Sequence, residues 1–241
     1  EVLQSVECVA GYSLYLDLIQ PLIADKRTLR SGMTKEVQRV EAAIEEAMSG
    51  RTCALVSSGD PGIYAMAGLV FETCKIKNVP VRPPGPAAAG AAEASTLTVE
   101  VIPGIPAMCA GAALLGAPLT HDFAVVSLSD LLTPWAVIAE RLEAAARADF
   151  VIVLYNPKSK KRDWQLSKAK EILLTHRDPQ TPVGVVTAAM RPNQEVQIIA
   201  LRDLHRARVD MQTTVFVGSR SSSRYLEFMF TPRGYSGKYA I

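Results

Sequence analysis

The stretch Cys53-Ala54-Leu55-Val56-Ser57-Ser58-Gly59-Asp60-Pro61-Gly62-Ile63-Tyr64 decides the fold class. Four apolar residues stop abruptly at small and polar ones, as a short buried strand does where it runs into a turn. Asp60 and Pro61 then suit the start of a helix, here expected to continue to residue 74. Comparable apolar runs stand at residues 6–10, 97–102 and 150–155, and two more at 183–186 and 213–217 continue the pattern. Amphipathic segments lie between most of them. Thr34 suits the cap of one running to residue 48, Pro134 starts another to 146, and a further helix fits 163–175. Strand alternating with helix predicts an α/β protein in which helices flank mostly parallel sheets. The pattern breaks at Pro118-Leu119-Thr120-His121-Asp122-Phe123, before a fresh strand-like run at 124–128. Two domains are therefore expected, residues 1–119 and 120–241.

An apolar fraction of 49% with 21% charged residues gives a chain of 241 residues enough material for a full core. Its 26 basic and 24 acidic residues interleave, so no basic stripe of the kind that binds nucleic acid is present. The four cysteines are far apart and sit in or beside apolar runs, which fits packed thiols in a reducing compartment. No run approaches the roughly 20 apolar residues of a membrane span, and the first seven residues do not resemble a signal peptide. A soluble, cytoplasmic protein with neither nucleic acid nor membrane as partner is expected. The tract RPPGPAAAGAAEAS at 82–95 has no large apolar residue and is read as an exposed, mobile insertion.

In open α/β sheets ligands bind beyond the carboxyl ends of the strands. After the strand at 53–56, SSGDPGIY either presents backbone N–H groups to a ligand or is a plain turn with Asp60 as helix cap. Pro103-Gly104-Ile105-Pro106-Ala107 forms a stiff turn before a small-residue helix at 108–115, suiting either a preformed cofactor floor or close helix packing. Tyr155-Asn156-Pro157-Lys158-Ser159-Lys160-Lys161-Arg162 places four cations at a strand end, as an anion site or a solvated turn. His121 and Asp122, at the proposed domain junction, are acid/base candidates; His176 and His205 read as structural. The chain lacks GxxxxGK[ST], HExxH, a cysteine cluster, GxSxG and GxGxxG, so no metal site is expected and nucleotide hydrolysis and nicotinamide chemistry lose ground.

Taken together, GYSLYLD at 11–17, SGMTKEV at 31–37, SSGDPGIY, VEVIPGIPA, GAPLTHDF, SLSDLLTPW, VLYNPKSKKR and TPRGY resemble the tetrapyrrole methylase family, in the family's order from residue 9 to residue 235. Within it, SLSDLLTPW and LYNPKSKKR point to the members that methylate carbon 17 of a precorrin in cobalamin biosynthesis. The family's opening strand and GxGPG loop precede the segment with which this sequence starts. The family also often has Arg-Asn where Thr187-Ala188 stand. The resemblance implies a two-domain α/β enzyme, usually a homodimer, that holds S-adenosylmethionine between its domains and releases S-adenosylhomocysteine. Carried over by position, the cofactor contacts are Ser58, Gly59, Asp60, Ile63, Pro106, Ala107, Asn156 and Ala189, mostly through backbone groups. The implied substrate is precorrin-3B, methylated and ring-contracted to precorrin-4, or its cobalt-containing counterpart. Lys158, Lys160, Lys161 and Arg162 are candidates to meet its carboxylates, and His121 or Asp122 to move protons during contraction.

Overall fold

A computed structural model describes residues 1–85, 96–159 and 162–240, and divides the chain into two compact units, Glu1–Pro106 and Ala107–Ile241. The reading of 82–95 as an insertion lies outside the described residues from 86 to 95, and Lys160 and Lys161 lie outside them too.

The first unit runs α1 (Val2–Ser5), β1 (Cys8–Tyr12), α2 (Ser13–Leu18), β2 (Arg27–Ser31), α3 (Glu36–Met48), β3 (Cys53–Val56), α4 (Ala67–Ile76), β4 (Val81–Arg82) and β5 (Leu97–Thr98). Its main sheet has the order β2-β1-β3 and is parallel throughout, as expected. In α3, Val40, Ala43 and Ile44 recur at helical spacing and are buried, Val40 and Ile44 in a cluster with Cys74. Burial pushes the Cys53 thiol up to about 12, with Cys8 at the paired position of β1 adding to the effect. That shift favours the protonated thiol over the thiolate.

Two helix starts differ from expectation. Thr34 does not cap α3: its φ is +63°, its hydroxyl donates to the Met33 carbonyl, and the helix begins at Glu36. Asp60 does not open α4 either, which begins at Ala67. Tyr64, at φ +52°, interrupts the intervening backbone, and the Asp60 carboxylate has other partners. The run at 97–102 forms strand only at Leu97–Thr98.

The second unit contains α5 (Ala107–Leu115), β6 (Gly116–Ala117), β7 (Phe123–Ser127), α6 (Trp135–Arg147), β8 (Val151–Tyr155), α7 (Gln165–Leu174), β9 (Pro182–Thr187), β10 (Glu195–Ala200), a 3-10 turn (Leu201–Arg206), β11 (Thr213–Val217), β12 (Ser223–Tyr225) and β13 (Phe228–Phe230). Its five-stranded sheet has the order β10-β9-β11-β8-β7. This sheet is mixed, with parallel and antiparallel pairs. β7, β8 and β9 point the same way, but antiparallel β11 sits between β8 and β9 and β10 pairs antiparallel at the edge, leaving β7–β8 as the parallel pair.

Successive side chains of a strand face opposite sides of its sheet. Ile152, Leu154, Val215 and Val217 therefore enter one core with Leu142 and Leu173, while Val153 and Phe216 enter another with Leu115 and Met229. Burial on both faces explains why these strands read as unbroken apolar runs. Gly111 lets α5 close on the sheet, since a Cβ there would stand 2.7 Å from Phe216 Cζ. That packing agrees with the place of α5 in the second unit, which starts at Ala107.

Candidate functional site

In the first unit, β3 delivers Ser58, Gly59 and Asp60 to the carboxyl end of the parallel sheet. Gly59 has a φ of 76°, a conformation in which a side chain is strained. The Asp60 carboxylate accepts the Gly62 N–H through Oδ1 at 2.8 Å and the Gly104 N–H through Oδ2 at 3.0 Å. One side chain thus shapes its own turn and ties it to the second glycine loop, 44 positions away. Contact between the loops is direct: a Cβ on Gly104 would fall against the Gly59 carbonyl, with its carbon 3.0 Å away. Ile63 is half-buried in the same turn, and Pro106 closes the second loop. The sequence motifs SGDPG and PGIPA are therefore two sides of one structure, with Asp60 as its clamp.

Asp60→Ala removes both bonds, and each hydrogen bond to a charged group contributes roughly 1.5–3 kcal/mol, toward the low end at a half-exposed site. The expected result is a first unit destabilised by about 3 kcal/mol in urea unfolding, twice the low end of that range. Asp60→Asn, which keeps one acceptor, should recover part of the loss.

In the second unit, Ser127, Asn156 and Ala189 sit at or just past the carboxyl ends of β7, β8 and β9, which all point one way. Asn156 has φ +51°; its Nδ2 donates to Ser127 Oγ at 3.0 Å, and its carbonyl accepts Arg162 Nη2 at 2.9 Å. Arg162 Nη1 donates to Ser129 Oγ at 2.9 Å. Arg162 therefore holds the loops after β7 and β8 together, a role its place in a run of cations does not disclose. Ala188 and Met190 also have positive φ, +51° and +60°, flanking Ala189. Such non-glycine outliers concentrate at ligand sites, and a side chain's name carries no signal of them. Ala107 opens α5, where the next residue's N–H, on Met108, donates to the Tyr155 hydroxyl at 2.9 Å.

Lys158 is exposed and lines a shallow, open cleft with Asp163, Ser167, Lys170 and His205. Lys170 Nζ lies 3.5 Å from His205 Nδ1, which also meets the Arg202 carbonyl at 3.0 Å. Lys170 and His205 thus join Lys158 as positive or polar groups, although they are distant in sequence from the KSKKR run.

His121 and Asp122 are not brought to this cluster. They precede β7 at the amino end of the sheet, and the whole length of that strand separates them from Ser127. His121 Nδ1 accepts the Asp122 N–H at 2.8 Å, and both side chains are exposed. The acid/base role expected of them therefore belongs to a different end of β7 from the groups gathered at Ser127 and Asn156. Among the described residues, no group of three or more His, Cys, Asp or Glu is arranged to hold a metal ion, and no helix is long and apolar enough to cross a membrane.

These features define an α/β protein of two units whose candidate ligand groups are loops at strand ends, built from backbone turns and small residues. Residues 1–205 match the model of the tetrapyrrole (corrin/porphyrin) methylases, and the chain belongs to that family. It is 44% identical over 236 residues to a probable cobalt-factor III C(17)-methyltransferase of Salmonella typhimurium, covering 98% of this chain and 91% of that protein. It is also 44% identical over its full length to the cobalt-factor III methyltransferase of Priestia megaterium, of which it spans 42%. The crystal structure of the methyltransferase CobJ superposes with a TM-score of 0.82 at 35% identity, covering 96% of this chain and 90% of that one.

Proposed function

We propose that this chain transfers a methyl group from S-adenosylmethionine to carbon 17 of a tetrapyrrole during cobalamin biosynthesis, in the cytoplasm and as a homodimer. The observation that carries the reading is its match to the Salmonella protein, which extends over nearly the whole of both chains. Precorrin-3B, converted to precorrin-4, is the acceptor that the sequence motifs imply. The cobalt-containing counterpart is a second reading, favoured by the names of the Salmonella and Priestia relatives.

The residues suit the cofactor. Ser58, Gly59, Asp60, Ile63 and Pro106 of the first unit, with Ala107, Asn156 and Ala189 of the second, are assigned as its contacts. Small side chains and left-handed turns let backbone N–H and carbonyl groups approach a ligand closely. Asp60 already accepts two backbone N–H groups, so its part is to fix the turn. When bound, S-adenosylmethionine supplies an electrophilic methyl group on a sulfonium. What remains for the protein is alignment and exclusion of water, which need no covalent nucleophile. Lys158, Lys160, Lys161 and Arg162 were the cations expected to meet the acceptor's carboxylates. Of these we assign Lys158 to a carboxylate and Arg162 to holding Asn156, while Lys160 and Lys161 keep the assignment from sequence.

Calorimetric titration with S-adenosylhomocysteine at physiological salt tests the cofactor site; micromolar binding corresponds to about 8 kcal/mol. Transfer of labelled methyl to precorrin-3B and to cobalt-factor III then separates the two acceptors, and binding without transfer would make the protein a carrier. Lys158→Ala should raise the acceptor KM several-fold and flatten its rise with salt, because screening weakens an exposed ion pair. An unchanged salt profile would remove Lys158 from the assignment.

A further inference from the structure

The loop between β7 and α6 carries an arrangement that the methyl-transfer reading leaves unused. Leu131 is 81% and Leu132 93% exposed, the two highest values among the large apolar side chains described. Exposed leucines at a frayed end need no explanation, but this loop is anchored on both sides. Before them, Leu128 is fully buried and its N–H donates to the Tyr155 carbonyl at 2.9 Å. Ser129 Oγ accepts from Arg162 at 2.9 Å, and Asp130 Oδ2 accepts from Gln165 Nε2 at 2.9 Å, with Gln165 itself 2% exposed. After them, Pro134 stands at the start of α6, and the rings of Trp135 and Trp164 meet edge to face at 4.9 Å. A set of half-buried polar contacts thus holds an apolar pair out in water.

Their position indicates what they meet. β7 and β8 are neighbouring parallel strands with Ser127 opposite Tyr155, so the loop leaves the sheet beside Asn156. Lys158 follows two residues later, with Lys170 and His205 across its cleft. One end of the unit therefore offers an apolar pair on one strand exit and cations on the next. A ligand with a flat apolar body and a rim of carboxylates satisfies both, its rim meeting the two lysines that outnumber Asp163 in the cleft.

We infer that Leu131 and Leu132 form an apolar seat for the body of the tetrapyrrole acceptor, fixed in place by the Ser129–Arg162 and Asp130–Gln165 bonds. The inference rests on the proposed function and names a part of its acceptor site. The chain's two tryptophans are Trp135 and Trp164, at the root of this loop, so their emission reports a tetrapyrrole bound there independently of turnover.

The test compares the full chain with the Leu131→Ser/Leu132→Ser and Leu131→Met/Leu132→Met double variants. Uroporphyrin III serves as the fluorescence probe and cobalt-factor III as the methyl acceptor. The serine variant should lose at least tenfold in uroporphyrin quenching affinity and in acceptor KM. Its kcat should stay within about threefold and its S-adenosylhomocysteine affinity should be unchanged, and the methionine variant should recover most of the loss. Equal quenching by the serine variant and the unaltered chain would overturn the inference and leave the proposed function standing. A shift from dimer to monomer in sedimentation would give the leucines to a second copy instead, and a fall in Tm of several degrees would show them to be packing residues; either result overturns the seat. If the unaltered chain neither binds uroporphyrin nor transfers methyl, the proposed function fails and the seat fails with it.

Discussion

Arg177→Ala is expected to lower the stability of the second unit by about 3 kcal/mol, the effect of withdrawing a buried charged donor from several acceptors at once. The Arg177 side chain is buried, and its guanidinium donates to the carbonyls of Ala146 at 2.6 Å, Phe150 at 3.0 Å and Gly218 at 3.2 Å, with Asp149 at 3.1 Å. Those carbonyls belong to the end of α6, the entry to β8 and the exit of β11, so a single side chain fastens three elements. Burial pulls the pKa of Arg177 down and Asp149 opposes that shift, yet an arginine remains charged at any physiological pH. Truncation withdraws the guanidinium from three carbonyls and from the Asp149 carboxylate, which keeps the Arg220 N–H at 3.0 Å, while Ala146 keeps the Asp149 N–H at 3.1 Å. Arg177→Lys should recover less than half, because an ammonium cannot reproduce the planar fork. All of these contacts lie at the amino end of β8, opposite Asn156. Thermal unfolding should therefore shift by roughly 10 °C, while S-adenosylhomocysteine affinity measured well below the transition is unchanged. A variant that unfolds as the unaltered chain does would show that water replaces the guanidinium without cost.

Gly104→Ala is expected to show a different pattern, a large loss of ligand affinity alongside a moderate loss of stability. The added methyl group would meet the Gly59 carbonyl, which is backbone and cannot rotate away as a side chain can. The two glycine loops must separate, which strains or breaks the bond from the Gly104 N–H to Asp60. Overpacking of this kind costs about 1–3 kcal/mol. If the same displacement is imposed on the bound state, S-adenosylhomocysteine affinity falls roughly tenfold to a hundredfold, at about 1.4 kcal/mol per factor of ten. Gly68→Ala, in α4 with open space around it, is the control and should leave affinity unchanged. Equal affinities for the Gly104 variant and the unaltered chain would remove the paired glycine loops from the cofactor site and return SGDPG and PGIPA to a purely structural role.

What the sequence by itself determined is what short-range chemistry encodes. Apolar runs with β-branched residues marked β3, β8, β9 and β11 to within a residue or two, since burial on both sheet faces leaves no alternation to misread. Pro134 marked the start of α6, and the ordered motifs identified the family. The edge strands β2 and β10 were missed because RTLRS and EVQIIA carry the polar residues of a half-exposed strand. Tertiary structure decided the rest, because it depends on groups remote in the chain. Asp60 read as a helix cap from its neighbours, but Gly104, 44 positions away, supplied the N–H that made it a clamp. Arg162 read as one cation of four until Ser129 and the Asn156 carbonyl occupied its guanidinium. His121 and Asp122 looked well placed near a boundary, yet the direction of β7 puts them at the far end of its sheet. Residue type and spacing report which bonds a side chain is able to make, and only the packed chain brings up the partner that fixes which one it does make.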